Sequence, residues 1–258
     1  MQTNGSFRVV IPARFESTRF PGKPLQLIDG KEMVLHVVEK ASQSDATEVV
    51  VATDDQRILD VVQASGADVC LTATDHETGT DRLVEVVTSR GWTEDEVVVN
   101  VQGDEPLIPV DCINQVANNL IQNPTAVMST LAAEIQDEKD YTDPNVVKVV
   151  FNAKGMAMYF SRASIPYNRD GGIANGCKSY RHIGIYAYRA GYLATYPKLA
   201  ASRLEALEKL EQLRVLDNGD LIHVDIAREL PGPGVDTPEH LALVESMVTG
   251  SNPHRSGD

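Results

Sequence analysis

The sequence predicts an α/β fold: a mostly parallel central sheet flanked by helices, with a small additional β-rich lobe. Three observations lead there. Short apolar runs rich in Val and Ile alternate with longer amphipathic stretches, the pattern of strands joined by crossover helices. Residues 49–51 and 97–99 are uninterrupted Val triplets, as expected of strands covered on both faces. Charged residues gather just past the carboxyl ends of these runs, at Arg14, Asp54, Asp55, Asp104 and Glu105, where open α/β sheets bind their ligands.

In chain order, strands are predicted over 7–12, 48–53, 69–71 and 97–102, with helices between and after them over 31–44, 54–65, 80–90 and 111–121. The second half carries fewer helices: strands over 127–133, 145–151, 157–160, 182–188 and 221–226 read as a mixed extension of the sheet plus a small lobe. Residues 168–179, rich in Gly and Asn, read as a loop, and 251–258 as a flexible tail. A helix over 202–216 starts on a capping box of Ser202 and Glu205 and ends at Gly219. Its leucines fall at 204, 207, 210, 213 and 216. A three-residue step slips back about 60° per repeat, so the stripe winds around the helix. Burying all five needs either a partner subunit or two faces within one subunit.

At 258 residues the chain makes one large domain, or one domain with a lobe. A formal net charge of -14 speaks against nucleic acid and anionic membranes as partners, because both require a positive field. No apolar run has the length of a membrane span, and no secretory leader is recognisable, so a cytoplasmic location is expected. Cys70, Cys112 and Cys177 are widely spaced and read as reduced thiols, without a zinc or disulfide framework.

Against this acidic background, the loop after the first strand carries Arg14, Arg19 and Lys23 together with Ser17. Pro12, Pro21, Gly22 and Pro24 shape its backbone. Concentrated cations on a shaped loop at a strand end suit a polyanion, above all a nucleoside triphosphate. The chain has neither GxxxxGK[ST] nor GxGxxG after the first strand, so phosphate handling falls to this loop. The run 99–107 ends a strand in Gln102, turns at Gly103 and presents Asp104 and Glu105. Hard carboxylates beside a triphosphate loop suit Mg²⁺, with Asp104 as ligand, although a capped turn has the same residues. In 233–240, Asp236 or Thr237 can cap a final helix beginning at Pro238, and Asp236 also has the chemistry of a second magnesium carboxylate. Cations near Arg162 and Arg169 can face an acidic sugar. Along 181–188 the alternation puts His182, Gly184, Tyr186 and Tyr188 on one strand face.

The runs IPARFESTRFPGKPL (11–25), NVQGDEPLI (100–108) and GVDTPE (234–239) occur in this order. Between them lie DHETGTDRL (75–83), YFSRASIP (159–166), RHIGIYAYR (181–189) and LEKLEQLRVL (207–216). Together they resemble the 3-deoxy-manno-octulosonate (Kdo) cytidylyltransferases, or CMP-Kdo synthetases, over about 7–247. The resemblance implies a Rossmann-like sugar-nucleotidyltransferase fold in a single domain over 1–250, with a CTP-binding part about 7–125 and a sugar-binding and dimerisation lobe about 126–220. It implies a homodimer, Mg²⁺, and the reaction of CTP with Kdo to give CMP-Kdo and diphosphate for lipopolysaccharide assembly. Carried over, Ala13, Arg14, Ser17, Arg19 and Lys23 hold the nucleotide with Thr78, Gly79 and Arg82. Lys23, Asp104 and Asp236 are catalytic, the two carboxylates holding magnesium. Gln102, Arg162, His182, Tyr186, Glu211 and Gln212 surround the sugar acid. Three places depart from the family pattern: Tyr167-Asn168, Arg203 and Asp217-Asn218. The first two bear on which sugar acid is used, Kdo, its 8-amino analogue or another, more than on the reaction. A non-catalytic nucleotide-binding relative is the alternative of a different class, and intact Lys23, Asp104 and Asp236 weigh against it.

Overall fold

Every residue of Phe7–Ala13 except Arg8 is buried. This run is β1, the middle of the sheet in a computed structural model that describes residues 5–16, 20–76, 79–169 and 178–250. After the first loop come β2 (Leu27–Ile28) and β3 (Lys31–Glu32), a hairpin turned by Asp29 and Gly30, both at positive φ (51° and 76°). Asp-Gly is the pair that a type I′ turn favours. The helix expected from residue 31 therefore begins two residues later, as α1 (Met33–Ser42). There follow β4 (Glu48–Thr53), α2 (Gln56–Ala64), β5 (Asp68–Leu71), α3 (Gly79–Arg90), β6 (Val97–Asn100) and α4 (Val110–Gln122).

The second half supplies β7 (Met128–Glu134), α5 (Glu138–Thr142), β8 (Lys148–Phe151), β9 (Ala157–Ser161), β10 (Tyr180–Arg189), α6 (Ala190–Thr195), α7 (Arg203–Glu208), α8 (Gln212–Asp217), β11 (Ile222–Ile226) and α9 (Pro238–Val248). The main sheet runs β11-β7-β10-β6-β1-β4-β5, and β8 joins β9 to β10 at its side. Pairing is parallel for β1 with β4 and β6, for β4 with β5 and for β11 with β7. Within this seven-strand path β10 runs against the others, antiparallel to both β6 and β7. The β-rich addition foreseen from the sequence is the antiparallel β8–β9 pair.

Alternation along β1 divides the core. Phe7, Val9, Ile11 and Ala13 pack with Val34 and Val37 of α1, Ile58 of α2 and Ile113 of α4. Val10 faces the opposite layer, with Leu83 of α3, Leu193 of α6 and Leu213 of α8. A sheet covered on both faces has no solvated side, which is why its strands carry continuous apolar runs.

The single helix expected over 202–216 is instead two, α7 and α8. Lys209 breaks it in the left-handed region (φ 54°) and its N–H donates to the Glu205 carbonyl. Bonds from β9 hold the break. Ser161 Oγ donates to Glu208 Oε1 (2.6 Å), the Arg162 N–H to Glu208 Oε2 (2.9 Å), and Arg162 Nε to the Glu208 carbonyl (2.7 Å). With the axis broken, Leu210 and Leu213 are buried and Leu204 and Leu216 pack against the same core, while Leu207 is left 71% exposed. The winding stripe thus does not require a second surface for all five leucines. Leu213→Ala should cost about 2–5 kcal/mol in urea unfolding, as for a fully buried leucine, and Leu207→Ala no more than about 0.5 kcal/mol. Equal costs would restore the continuous helix.

Candidate active site

The carboxyl ends of β1 and β6 approach each other closely enough to constrain sequence. A Cβ on Gly103 would stand 2.8 Å from the Pro12 carbonyl oxygen, so only glycine lets this turn lie against β1. The first loop is closed at its base: the Gly22 N–H donates to the Phe15 carbonyl (2.8 Å), and Gly22 takes φ 69° before the short 3₁₀ turn Lys23–Leu25. A third segment docks on the second, because the Val235 N–H donates to the Asp104 carbonyl (2.8 Å).

These contacts bring Lys23, Asp104 and Asp236 together. Lys23 Nζ donates to Asp104 Oδ2, to the Val235 carbonyl (3.1 Å) and to Asp236 Oδ1 (3.3 Å). Thr237, not Asp236, caps α9, its hydroxyl accepting from the His240 N–H (3.4 Å). The Asp236 carboxylate is directed to the site. Burial pushes the neighbouring Glu105 carboxyl up to about 7, and Asp104 and Asp236 reinforce the shift.

A cavity of about 410 Å³ opens over this cluster, lined by Ala13, Arg14, Lys23, Gln102, Asp104 and Asp236 among others. A second, of about 430 Å³, shares Pro12, Arg14 and Gln102 with it and extends to Gly79, His182, Tyr186, Glu211 and Gln212. The face predicted for β10 is the one presented: His182, Gly184, Tyr186 and Tyr188 all line this second cavity. Nothing lies within 4 Å of where a Gly184 Cβ would be, so a side chain there would occupy cavity space rather than core.

Electrostatics in the second cavity favour neutral groups. Burial lowers the His182 pKa from 6.5 to about 3, and its Nε2 lies 2.9 Å from the Thr130 hydroxyl. Burial raises the pKa of Tyr186 and also that of Glu211. Thr80, at the start of α3, donates its hydroxyl to Glu211 Oε2 (3.1 Å), and Tyr196 donates to the Glu211 carbonyl (3.3 Å). The lobe's carboxylate is thereby tied to the nucleotide-side helix.

Two expected residues stand elsewhere. Arg162 lines neither cavity; besides the Glu208 carbonyl it donates to the Pro144 carbonyl (3.0 Å), so it braces the turn that presents Glu211. Arg82 is buried under the strand ends, donating to Asp54 Oδ2 (2.5 Å), the Thr72 hydroxyl (2.7 Å) and the Ala73 carbonyl (3.3 Å). It borders a separate cleft of about 670 Å³ with Arg14, Phe15, Arg57 and His76. Ser17, Arg19, Thr78 and Cys177 lie outside the described residues. Sequence reasoning passed over Asn100, Thr80 and Tyr196 and placed Glu105 at the ligand-binding edge without assigning it a role, yet all four line the second cavity. Asn100 had a signal, a polar residue closing an otherwise apolar buried strand.

A mostly parallel sheet whose strand ends gather a basic loop, two facing carboxylates and a polar cavity defines a nucleotidyltransferase. The family model described as "Cytidylyltransferase" matches residues 8–226. A 3-deoxy-manno-octulosonate cytidylyltransferase of Photobacterium profundum is 55% identical over 251 residues, covering 94% of this chain and 99% of that protein. One of Vibrio vulnificus is 53% identical, covering 96% and 100%. Among solved structures, a CMP:2-keto-3-deoxy-manno-octonic acid synthetase complexed with CTP superposes with a TM-score of 0.88 at 41% identity, covering 96% of this chain and all of that one. A cytidylyltransferase from Leptospira borgpetersenii shares the fold at 15% identity, with a TM-score of 0.62 over 96% of this chain and 89% of that one. The chain belongs to the 3-deoxy-manno-octulosonate cytidylyltransferase family.

His182 gives this site a pH signature. Above pH 6.5 neither the folded nor the unfolded chain protonates it. As pH falls from 6.5 towards 3 the unfolded chain takes up a proton that the folded site refuses, so stability drops. His182→Gln should therefore flatten the dependence of Tm on pH below 6.5. A curve parallel to the wild type would mean that His182 titrates normally.

Proposed function

We propose that this chain transfers CMP from CTP to the anomeric hydroxyl of Kdo, releasing diphosphate, and so makes the activated sugar for lipopolysaccharide assembly. The observation that carries this reading is the meeting of Lys23, Asp104 and Asp236 under one cavity that is continuous, through Arg14 and Gln102, with a second, sugar-sized polar cavity. In the transfer the anomeric oxygen attacks the α-phosphorus in line, the bond to the β-phosphate bridging oxygen breaks, and the hydroxyl proton is lost. Such chemistry demands alignment and charge neutralisation, with little covalent work for the protein.

Each part then has a role. Arg14 and Lys23 meet the triphosphate, with Ser17 and Arg19 of the same loop. Thr78 and Gly79 border base and ribose, and Arg82 fixes the strand ends beneath them. Gln102, His182, Tyr186, Glu211 and Gln212 orient the sugar acid, with His182 uncharged. Thr80 and Arg162 hold Glu211 in place.

Asp104 and Asp236 fit Mg²⁺. They are hard oxygen donors, they already converge on one cation, the Lys23 ammonium, and magnesium is commonly held by one or two carboxylates plus substrate phosphates. When bound, the ion would polarise the α-phosphate and lower the pKa of the attacking hydroxyl. Lys23, relieved of the carboxylates, is then available to a phosphate oxygen. No helix among the described residues is long and apolar enough to cross a membrane; with CTP as a substrate, the cytoplasm is the proposed location.

Diphosphate release with CTP, Mg²⁺ and a panel of sugar acids tests the reading; turnover should be highest with Kdo. Asp104→Asn and Asp236→Asn should each fold normally and lose at least about 100-fold in kcat. Near-normal turnover at saturating Mg²⁺ would remove that residue from the reaction.

The proposal extends to a homodimer through the lobe. The three most exposed large apolar side chains among the described residues, Tyr167 (85%), Leu207 (71%) and Met158 (63%), all come from its β9–α7 region. Light scattering should give a dimer, and Met158→Glu with Leu207→Glu a folded monomer. Leu210 is unsuitable for this test because it is core. A wild-type monomer at micromolar concentration would end the idea.

A further inference from the structure

Asn100 closes β6 in the middle of the sheet, paired with Val10 of β1 on one side and Tyr186 of β10 on the other. It is 2% exposed, and its Oδ1 is buried without a hydrogen-bond partner. Val98, two residues earlier on the same face, is wholly apolar core. An apolar side chain at 100 would be less costly to the fold, since an unmatched buried amide forfeits its hydration. Such a group in a native interior calls for an explanation.

The cavity supplies one. Asn100 lines the space of about 430 Å³, and so does Gln212, whose Nε2 is likewise buried without a partner. One cavity thus holds an unmatched acceptor on the sheet and an unmatched donor on α8. It is the cavity of His182 and Tyr186; Asn100 does not line the one over Lys23, Asp104 and Asp236. A polyhydroxylated ligand meets both needs. A hydroxyl donates and accepts, so it also satisfies the Asn100 amide in either orientation.

We propose that Asn100 is a substrate-contacting, specificity-determining residue whose side-chain amide hydrogen-bonds a hydroxyl of the acceptor sugar acid, on the sheet side of the cavity opposite Gln212. This rests on the function proposed above and deepens it. A sugar acid lacking that hydroxyl leaves the amide buried and unpaired and is rejected for that reason, as sites built around a substrate hydroxyl reject analogues without it.

The test compares wild type with Asn100→Leu, which keeps the branched skeleton and has no polar side-chain atoms, by initial rates with Kdo and CTP varied separately and by thermal melting. The KM for Kdo should rise about 10- to 100-fold, the loss expected for one buried hydrogen bond. The KM for CTP should stay unchanged, and the melting temperature should be no lower than that of wild type, because the free protein loses only an unpaired group. An unchanged KM for Kdo, or a rise confined to CTP, overturns the proposal. Should Asn100→Leu fail to fold, Asn100→Ser, polar but too short to reach, takes its place with the same two outcomes. A wild type inactive with Kdo sinks the parent reading alone. Asn100 is then judged by calorimetric titration of CTP: equal affinity in wild type and variant supports a contact outside the nucleotide, and a loss in the variant overturns it.

Discussion

Three segments far apart in the chain meet at one ammonium. Lys23 follows β1, Asp104 lies 81 residues on, and Asp236 lies 213 residues on, just before the last helix. Lys23 is 14% exposed and the two carboxylates 30% and 41%, so solvent screens part of their mutual repulsion and the ammonium between them offsets the rest. The backbone is shaped to allow the meeting. Gly103 lies against Pro12, the Val235 N–H is bonded to Asp104, and Gly22 turns the chain into Lys23. A Cβ at Gly103 would meet the Pro12 carbonyl oxygen at 2.8 Å, so that turn is a condition of the site rather than a consequence of it. Beside the cluster, burial pushes the Glu105 carboxyl up to about 7, and the charges of Asp104 and Asp236 add to that shift.

From that point the sheet distributes the remaining work. The parallel strands end on one side, which gathers the segments after β1 and β6 around the cluster and sets the loop after β4 beside them, at the cleft of Arg82. β10 enters the opposite way, between β6 and β7, and so lays a whole strand face along the cavity instead of one loop. His182, Gly184 and Tyr186 fall on that face by simple alternation, the His182 and Tyr186 rings meet at 5.3 Å between centroids, and Gly184 adds no side chain to the cavity. The lobe contributes Glu211 and Gln212 only because its helix is broken at Lys209, and the break is held by Ser161 and Arg162 gripping Glu208. Arg162 matters to the site without lining it.

What could be read from the residues followed from which physics is local. The Val triplets at 49–51 and 97–99 announced strands buried on both faces, and the charges behind them announced the working edge of the sheet. Lys23, Asp104 and Asp236 were legible as chemistry, because cations on a shaped loop and carboxylates after a glycine turn have few other uses. Their convergence was not, since it depends on pairing order across the whole sheet. The choice between Asp236 and Thr237 as helix cap is degenerate in sequence; the structure resolves it through the His240 N–H. The break at Lys209 was hidden for a stronger reason. Lysine has no preference for the left-handed region, and the capping box at Ser202 and Glu205 correctly announces a helix start, but the bonds that end that helix come from residues about 47 positions earlier.

The same distinction explains why Asn100 escaped notice while its neighbours did not. Asp104 and Glu105 break the apolar pattern conspicuously, whereas Asn100 lies inside the strand expected over 97–102 and reads there as part of the strand. Burial changes its meaning. In a loop an asparagine finds water; between β1 and β10, under Tyr186, it does not. A fold that keeps a polar group where Val98 shows that an apolar one fits is accepting a cost in the free protein. Gln212 accepts the same cost on the facing helix. Two such costs facing one cavity, beside a histidine held neutral and a strand glycine that leaves space, suit the hydroxyl groups of the proposed acceptor. Among the described residues, the unmatched buried amides that face a cavity face this one and not the one over Lys23, Asp104 and Asp236, whose charged groups are already paired to one another.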